Sequence, residues 1–346
     1  MAKFRAKGGK LRAYQITDYT GVDSLACVEV PDGEPGPGEI KVNIKASSIN
    51  YRDLVTIEDP GARNLLLPFV PNSDGAGEIV GLGSGVKGLE IGQRVVGCFF
   101  QDWLDGPISP AVMESALGGS IGGVLREEMI FNKDGVVKIP SNLSYAEAAT
   151  LPCAGLTAWH ALIEQGRVNA GDTVLLLGTG GVSLFALQFA VMHGARPIIT
   201  SSSNEKLERA RQLGASHTIN YIDNPQWHEE VLSLTGGEGV DHVVEVGGAG
   251  TLAQSIESTR VGGHIYLIGI LAKGEINPTS LMRKSLHLHG IYVGSRAMFE
   301  RMNKAVQATN LRPVIDQVFN FVGAQDAYRK MRSKKHFGKL VINIGH

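Results

Sequence analysis

The chain has 346 residues, 43% of them apolar, which suffices for two domains with cores of their own and excludes an intrinsically disordered protein. Its 33 basic and 34 acidic residues leave a formal net charge of -1, so no field draws nucleic acid or an anionic membrane, and neither is expected as a partner. Cys27, Cys98 and Cys153 lack CxxC spacing, which predicts neither a disulfide framework nor a structural zinc cluster and points to a reducing, cytoplasmic setting.

The opening MAKFRAKGGKLRAY is basic but has neither the apolar core of a signal peptide nor the serines and threonines of a transit peptide, and it reads as a short solvated tail. Residues 10 to 135 read as short strands broken by glycine and proline, with Glu39–Ala46, Gly77–Val80 and Arg94–Phe99 typical, so an irregular β domain is expected. Gln101–Gly123 is rich in turn formers and long for a connection. It is either a disordered insert or a loop with a function, and the second reading is preferred.

From about Ser144 buried strands alternate with amphipathic helices. Thr173–Gly178 is a strand, Gly181–His193 a helix with Leu184, Leu187, Gln188 and Val191 on its apolar face, Pro197–Ser201 a strand and Glu205–Leu213 a helix. His217–Tyr221, Asp241–Val246, His264–Ile270 and Leu286–Val293 complete six strands, which with crossover helices predict an α/β, doubly wound parallel sheet. The sixth is long and apolar and is read as a sheet edge that pairs two copies into a homodimer. Phe337–Asn343 is a last strand returning to the first domain. The longest apolar stretch, Val182–Met192, is well short of the roughly 20 residues that span a bilayer, so no membrane segment is expected.

The first strand of this series runs through Gly178-Thr179-Gly180-Gly181-Val182-Ser183 directly into a helix. Gly178 permits a tight turn, Gly180 lets the backbone approach a pyrophosphate, and the helix amides receive its charge. Ser183 stands where a third glycine is usual and is small enough to keep helix and strand close. After the second strand, Ser201, Ser202, Ser203 and Lys206 replace the carboxylate that holds a ribose 2′-hydroxyl in NAD enzymes; hydroxyls and an ammonium favour the 2′-phosphate of NADP(H). The rival reading is that the serines cap the next helix and Lys206 is solvated. Tyr221 either packs near the adenosine or belongs to the core. Gly247, Gly248 and Gly269 end the fourth and fifth strands, the edge where dinucleotides bind in such sheets.

Taken in order, EPGPGEIKV (Glu34–Val42), INYRD (Ile49–Asp53), SDGAGEIVGLGSGV (Ser73–Val86), LPCAGLTAWHAL (Leu151–Leu162), GTGGVSLFALQFA and HFGKLVI (His336–Ile342) make the chain resemble the medium-chain dehydrogenase/reductase superfamily along nearly its whole length. The resemblance implies a GroES-like β-rich catalytic domain over residues 1–142, a Rossmann NADP(H)-binding domain over 143–296, a return to the catalytic domain over 297–346, and an active site between the two. It also implies cofactor roles for Thr157, Gly338 and Lys339, with Lys339 reaching the pyrophosphate; a helix threonine and a solvated lysine are the rival readings. The positions that carry Cys, His and Cys zinc ligands in metal-dependent relatives read Asn50, Ser73 and Cys153. One thiol does not make a three-ligand zinc site, so no metal is expected, and the chain is similar to the zinc-independent, quinone-oxidoreductase-like branch. His160, His193, His287 and His289 have no ligand spacing.

A metal-free site must supply a hydrogen-bond donor to the oxygen that gains charge during reduction. Tyr51 and Asn50 are the candidates, whereas Asp53 is read as a helix cap. Hydride delivery to the β-carbon of an enone or quinone suits such a site, because the charge spreads as an enolate before protonation. An NADP(H)-dependent alcohol dehydrogenase using Tyr51 as acid, and an NADPH-binding protein without catalysis, remain as alternatives.

Overall fold

The computed structural model describes residues 10–269, 272 and 274–345. Most of the basic opening segment and Ile270, the end of the predicted fifth strand, therefore lie outside the described residues. The chain forms two compact units, residues 1–153 with 294–346, and 154–293. The sequence reading put these divisions at 142/143 and 296/297.

In the first unit the strands are β1 (Lys10–Ile16), β2 (Leu25–Pro31), β3 (Glu39–Ile49), β4 (Asp74–Leu82), β5 (Arg94–Gly97), β6 (Glu128–Asn132) and β7 (Val136–Lys138). The second unit holds β8 (Thr173–Leu176), β9 (Arg196–Ser201), β10 (His217–Asn220), β11 (Val240–Glu245), β12 (Thr259–Leu267) and β13 (His287–Gly290). The chain then returns with β14 (Ile315–Asn320) and β15 (Lys339–Asn343).

The sheet of the first unit runs β14-β15-β3-β4-β5-β7, with β6 also paired to β3. Strand β3 alternates buried and half-buried residues from Glu39 to Lys45, as a strand with one covered face must, and then becomes buried on both sides from Ala46 to Ile49. Ile40, Val42, Ile44, Ile79, Val95, Leu340 and Ile342 share one core. The antiparallel pairing of β15 on β3 sets Leu340 opposite Ile49, so the carboxyl-terminal strand delivers Lys339 to the end of β3.

The second sheet is parallel throughout and runs β10-β9-β8-β11-β12-β13, the 3-2-1-4-5-6 order of a doubly wound dinucleotide fold. Leu175, Ile198, Ile219, Val243 and Ile265 are buried at its centre because a sheet covered on both faces needs near-continuous apolar strands.

The segment Gln101–Gly123 is not a disordered insert: it contains the short helix Pro110–Met113, and Trp103, Ala116 and Leu117 are buried within it. Two expectations are corrected. The helix after the glycine loop buries Ser183 to Leu187, Phe189 and Ala190, so it is covered nearly all round, while Val191 is exposed. The edge strand β13 is neither long nor apolar; it has four residues, HLHG, with His287 and Leu288 exposed.

Candidate functional site

Two constellations carry chemistry, one in each unit. In the second, β8 ends at Leu176 and the glycine turn leads into the helix Gly181–Met192. Gly178 takes φ +71°, which a side chain would strain, and its N–H donates to Thr200 Oγ1 at 3.2 Å, tying the turn to β9. A Cβ at Gly178 or Gly180 would meet nothing within 4 Å, and the helix has no side-chain cap, so its first amides face open space. A pyrophosphate fits there on backbone donors and the helix dipole. Thr179 is buried, and Val182 and Gly181 are half-buried. Ser183 donates its hydroxyl to Leu177 O at 2.7 Å, so it locks helix to strand.

At the end of β9, Ser203 caps the helix Asn204–Gln212 by accepting from the Lys206 N–H, and Ser201, which is buried, accepts from the Ser203 N–H. Ser202 is exposed and Lys206 half-buried in the first turn, while Tyr221 is partly exposed and its N–H donates to Ser201 O. The rival capping reading therefore holds for Ser203, while Ser202 and Lys206 lie in the same turn and first helical turn after β9.

Sequence reasoning missed Glu245. This fully buried carboxylate at the end of β11 accepts from Gly247 N (2.8 Å), Gly248 N (3.0 Å) and Thr251 Oγ1 (2.6 Å) through Oε1 and from Ser255 Oγ through Oε2. It shapes the Gly247–Gly248 turn. Gly269 packs beside it so tightly that a Cβ would lie 2.2 Å from Val246 O, which makes its glycine a packing requirement. A lone Glu at the end of an apolar strand, followed by two glycines, was the available signal. Thr157 is buried in the helical segment Leu156–Trp159, which is flanked by π-helical turns at Leu151–Gly155 and His160–Gln165.

The first unit brings together the end of β3, the start of β4, Cys153 and β15. Asn50 precedes the helix Tyr51–Glu58, is 6% exposed, and donates its N–H to Asp53 Oδ2 at 2.8 Å. Asp53 therefore lies inside the helix, at its third position, and closes a capping box with Asn50 in place of capping a helix that begins near Leu54; it also pairs with Arg52, whose guanidinium donates to Leu117 O and Gly118 O and lies over the Phe99 ring. Tyr51 opens the helix and is 37% exposed.

Lys339 departs most from expectation. It is 3% exposed, and its Nζ donates to Ile49 O at 2.7 Å and to Asn50 Oδ1 at 2.5 Å, so the ammonium belongs to the Asn50 cluster and not to a pyrophosphate. Gly338 takes φ +85°, and a Cβ there would strike Val314 O at 2.4 Å, so its glycine serves the backbone at the entry to β15. Asn50 Nδ2 approaches Ser73 Oγ at 3.5 Å, Ser73 donates to Asp74 Oδ1 at 2.6 Å, and Asp74 Oδ2 accepts the Cys153 N–H at 3.2 Å. Burial pushes the Asp74 carboxyl up to about 6 against the opposing charge of Lys339, and burial likewise pulls the Lys339 ammonium below its ordinary value against Asp74. Burial, reinforced by Asp74, raises the Cys153 thiol far above its usual range.

Zinc does not fit this set. The three positions offer a carboxamide whose oxygen is taken by an ammonium, a hydroxyl given to a carboxylate, and a single thiol, where zinc requires three thiolate, imidazole or carboxylate donors. Among the described residues no group of three or more His, Cys, Asp or Glu is arranged to hold a metal ion. Nor is any described helix long and apolar enough to cross a membrane.

Family models match in two stretches: the alcohol dehydrogenase GroES-like domain over residues 36–141 and the zinc-binding dehydrogenase model over residues 181–308. The second stretch contains none of positions 50, 73 and 153. A zinc-type alcohol dehydrogenase-like protein of Schizosaccharomyces pombe is 44% identical over 344 residues, 96% of this chain and 99% of its own. The 2-methylene-furan-3-one reductase of Solanum lycopersicum is 30% identical, over 96% of this chain and 79% of its own. A crystal structure from Sinorhizobium meliloti, provisionally called an alcohol dehydrogenase, superposes with a TM-score of 0.90 at 40% identity, covering 97% of this chain and 99% of the other. An NAD-dependent alcohol dehydrogenase does so with 0.88 at 32%, covering 96% and 100%.

Proposed function

Because the chain belongs to the medium-chain dehydrogenase/reductase superfamily and is an oxidoreductase of its alcohol dehydrogenase and quinone oxidoreductase-like group, we propose that it reduces an enone, a quinone or a related small conjugated carbonyl compound with NADPH and without a metal. The observation that carries this reading is the filling of the three ligand positions by Asn50, Ser73 and Cys153, bound into a network with Lys339 and Asp74. Such a site offers hydrogen-bond donors and no Lewis acid. Conjugate reduction asks least of it, because the developing charge is delocalised over an enolate. The tomato relative, named for reduction of a methylene-furanone, supports the same substrate class.

A reduced nicotinamide supplies the hydride when bound. Gly178, Gly180 and the first amides of the helix Gly181–Met192 hold the pyrophosphate, and Glu245 keeps the Gly247–Gly248 turn in shape. Ser202 and Lys206 favour the 2′-phosphate, since a carboxylate is absent from the end of β9. In the first unit the Asn50 carboxamide donates to the substrate oxygen, and Tyr51, with its solvent access, returns the proton. A second reading, NAD(P)-dependent oxidation of an alcohol with Tyr51 as the proton acceptor, is favoured by the alcohol dehydrogenase names among the relatives. We place the protein in the cytoplasm, where the three free thiols stay reduced, and expect a homodimer, which light scattering at micromolar concentration tests.

The test is absorbance at the reduced-nicotinamide band with NADPH or NADH against enones, quinones, aldehydes and, in reverse, alcohols. Loss of NADPH with enones or quinones supports the proposal; turnover with alcohols alone supports the second reading; saturable binding without turnover contradicts both. Tyr51→Phe is expected to lower kcat by about a hundredfold, the scale of a lost general acid, and an unchanged kcat removes Tyr51 from the chemistry.

A further inference from the structure

A buried ammonium needs a reason, and no role has yet been given to Lys339. Lysine carries three donors and no acceptor, so it faces only the oxygen of the Asn50 carboxamide. It thereby settles which end of that amide is which: Oδ1 is held by Nζ, and Nδ2 is turned toward Ser73 and away from the lysine. The backbone of the same residue is fixed separately, through the Asn50 N–H on Asp53 and through Ile49 O on Lys339. Asp74 balances the ammonium from the other side of the amide and is itself held by Ser73 and the Cys153 N–H. The arrangement is a cation, an amide and a carboxylate in series, built across β15, β3 and β4.

We propose that Lys339 is the built-in cation of this site, and that it is a positioning residue which fixes and polarises the Asn50 amide as the donor to the substrate oxygen. A positive charge on the amide oxygen draws electron density from its nitrogen and strengthens the N–H as a donor. This inference rests on the proposed reductase reading only for its effect on turnover; the orientation of Asn50 is independent of it.

The experiment compares wild type with Lys339→Met and with Lys339→Met/Asp74→Asn, the second of which removes both charges and so keeps the cluster neutral if the single variant folds poorly. Three quantities are read: the exchange protection of the Asn50 side-chain amide in asparagine-labelled protein, NADPH affinity by fluorescence, and kcat and KM with the best conjugated acceptor. The expected result is loss of Asn50 amide protection in both variants, an NADPH dissociation constant within about twofold of wild type, and a fall in kcat of about tenfold or more with KM little changed, as a lost charge-assisted interaction gives. Protection retained in the double variant, or kcat unchanged while Asn50→Ala lowers it, overturns the proposal. If wild type turns over no acceptor, the reductase reading fails, and the amide protection alone decides the orienting role of Lys339.

Discussion

Glu245→Gln probes the dinucleotide-binding unit at a point no ligand needs to touch. The carboxylate accepts four donors, three of them on Oε1. In the glutamine variant the least costly orientation keeps the carbonyl oxygen at Oε1 and sets the new NH2 against Ser255, whose hydroxyl rotates to accept. The loss is then the charge assistance on three bonds, which at about 1.5 kcal/mol for a bond to a charged group, the low end of the range, against about 1 for a neutral one comes to roughly 1.5–2 kcal/mol. Glu245→Ala leaves four donors facing a void and costs roughly 4 kcal/mol, in the range for breaking a buried charged network. For a unit of this size the glutamine variant lowers the calorimetric transition of the second unit by about 4–8 °C and the alanine variant by about twice that. NADPH affinity falls with it, because the Gly247–Gly248 turn loses its anchor. An alanine variant that melts within about 1 °C of wild type refutes the argument that this carboxylate organises the turn.

Lys206→Ala is expected to weaken NADPH binding about tenfold and leave NADH binding unchanged, as removal of one charged hydrogen bond to a phosphate does; equal effects on both dinucleotides would return Lys206 to the solvated surface. Stability should also depend on pH through the histidines stacked across β11, β12 and β13, where His264 Nδ1 lies 3.0 Å from His289 Nε2 and His242 bridges Tyr266 and Asp172. Burial, then the charges of His242, His287, His289 and Arg260, holds His264 at about 4 against an ordinary 6.5, and burial lowers His242 and His289 too. The unfolded chain therefore binds more protons between those pH values, so this contribution is full above pH 6.5 and is lost as pH falls toward 4. Urea midpoints of the second unit should drop between pH 7.5 and pH 5, and His264→Asn should flatten the slope; a flat wild-type profile contradicts it.

The doubly wound sheet was legible because β8, β9, β11 and β12 carry apolar runs followed by a glycine turn or a helix cap. The glycine loop was legible for the same local reason. Lys339 was not, because its place depends on β15 pairing with β3 across nearly the whole chain, and FGKLVI carries no mark of its partner. Glu245 escaped because a buried carboxylate is recognised by the donors that converge on it, and those come from the following turn and helix. In Gln101–Gly123 the turn formers hid Trp103 and Leu117, which anchor an ordered segment; Arg52, read only as part of INYRD, anchors its far end. The edge strand was overestimated because Ile291–Val293 continues the apolar run beyond the last ladder residue, Gly290.

In the proposed reaction hydride goes to a carbon conjugated with a carbonyl, at a site that holds no metal. NADPH deuterated at the transferable position of C4, incubated with enzyme and an enone, tests it through the position of the label in the product. Deuterium on the β-carbon, with a rate unaffected by chelator, is the predicted result. Deuterium on the carbonyl carbon, or a rate abolished by chelator and restored by zinc, would contradict it.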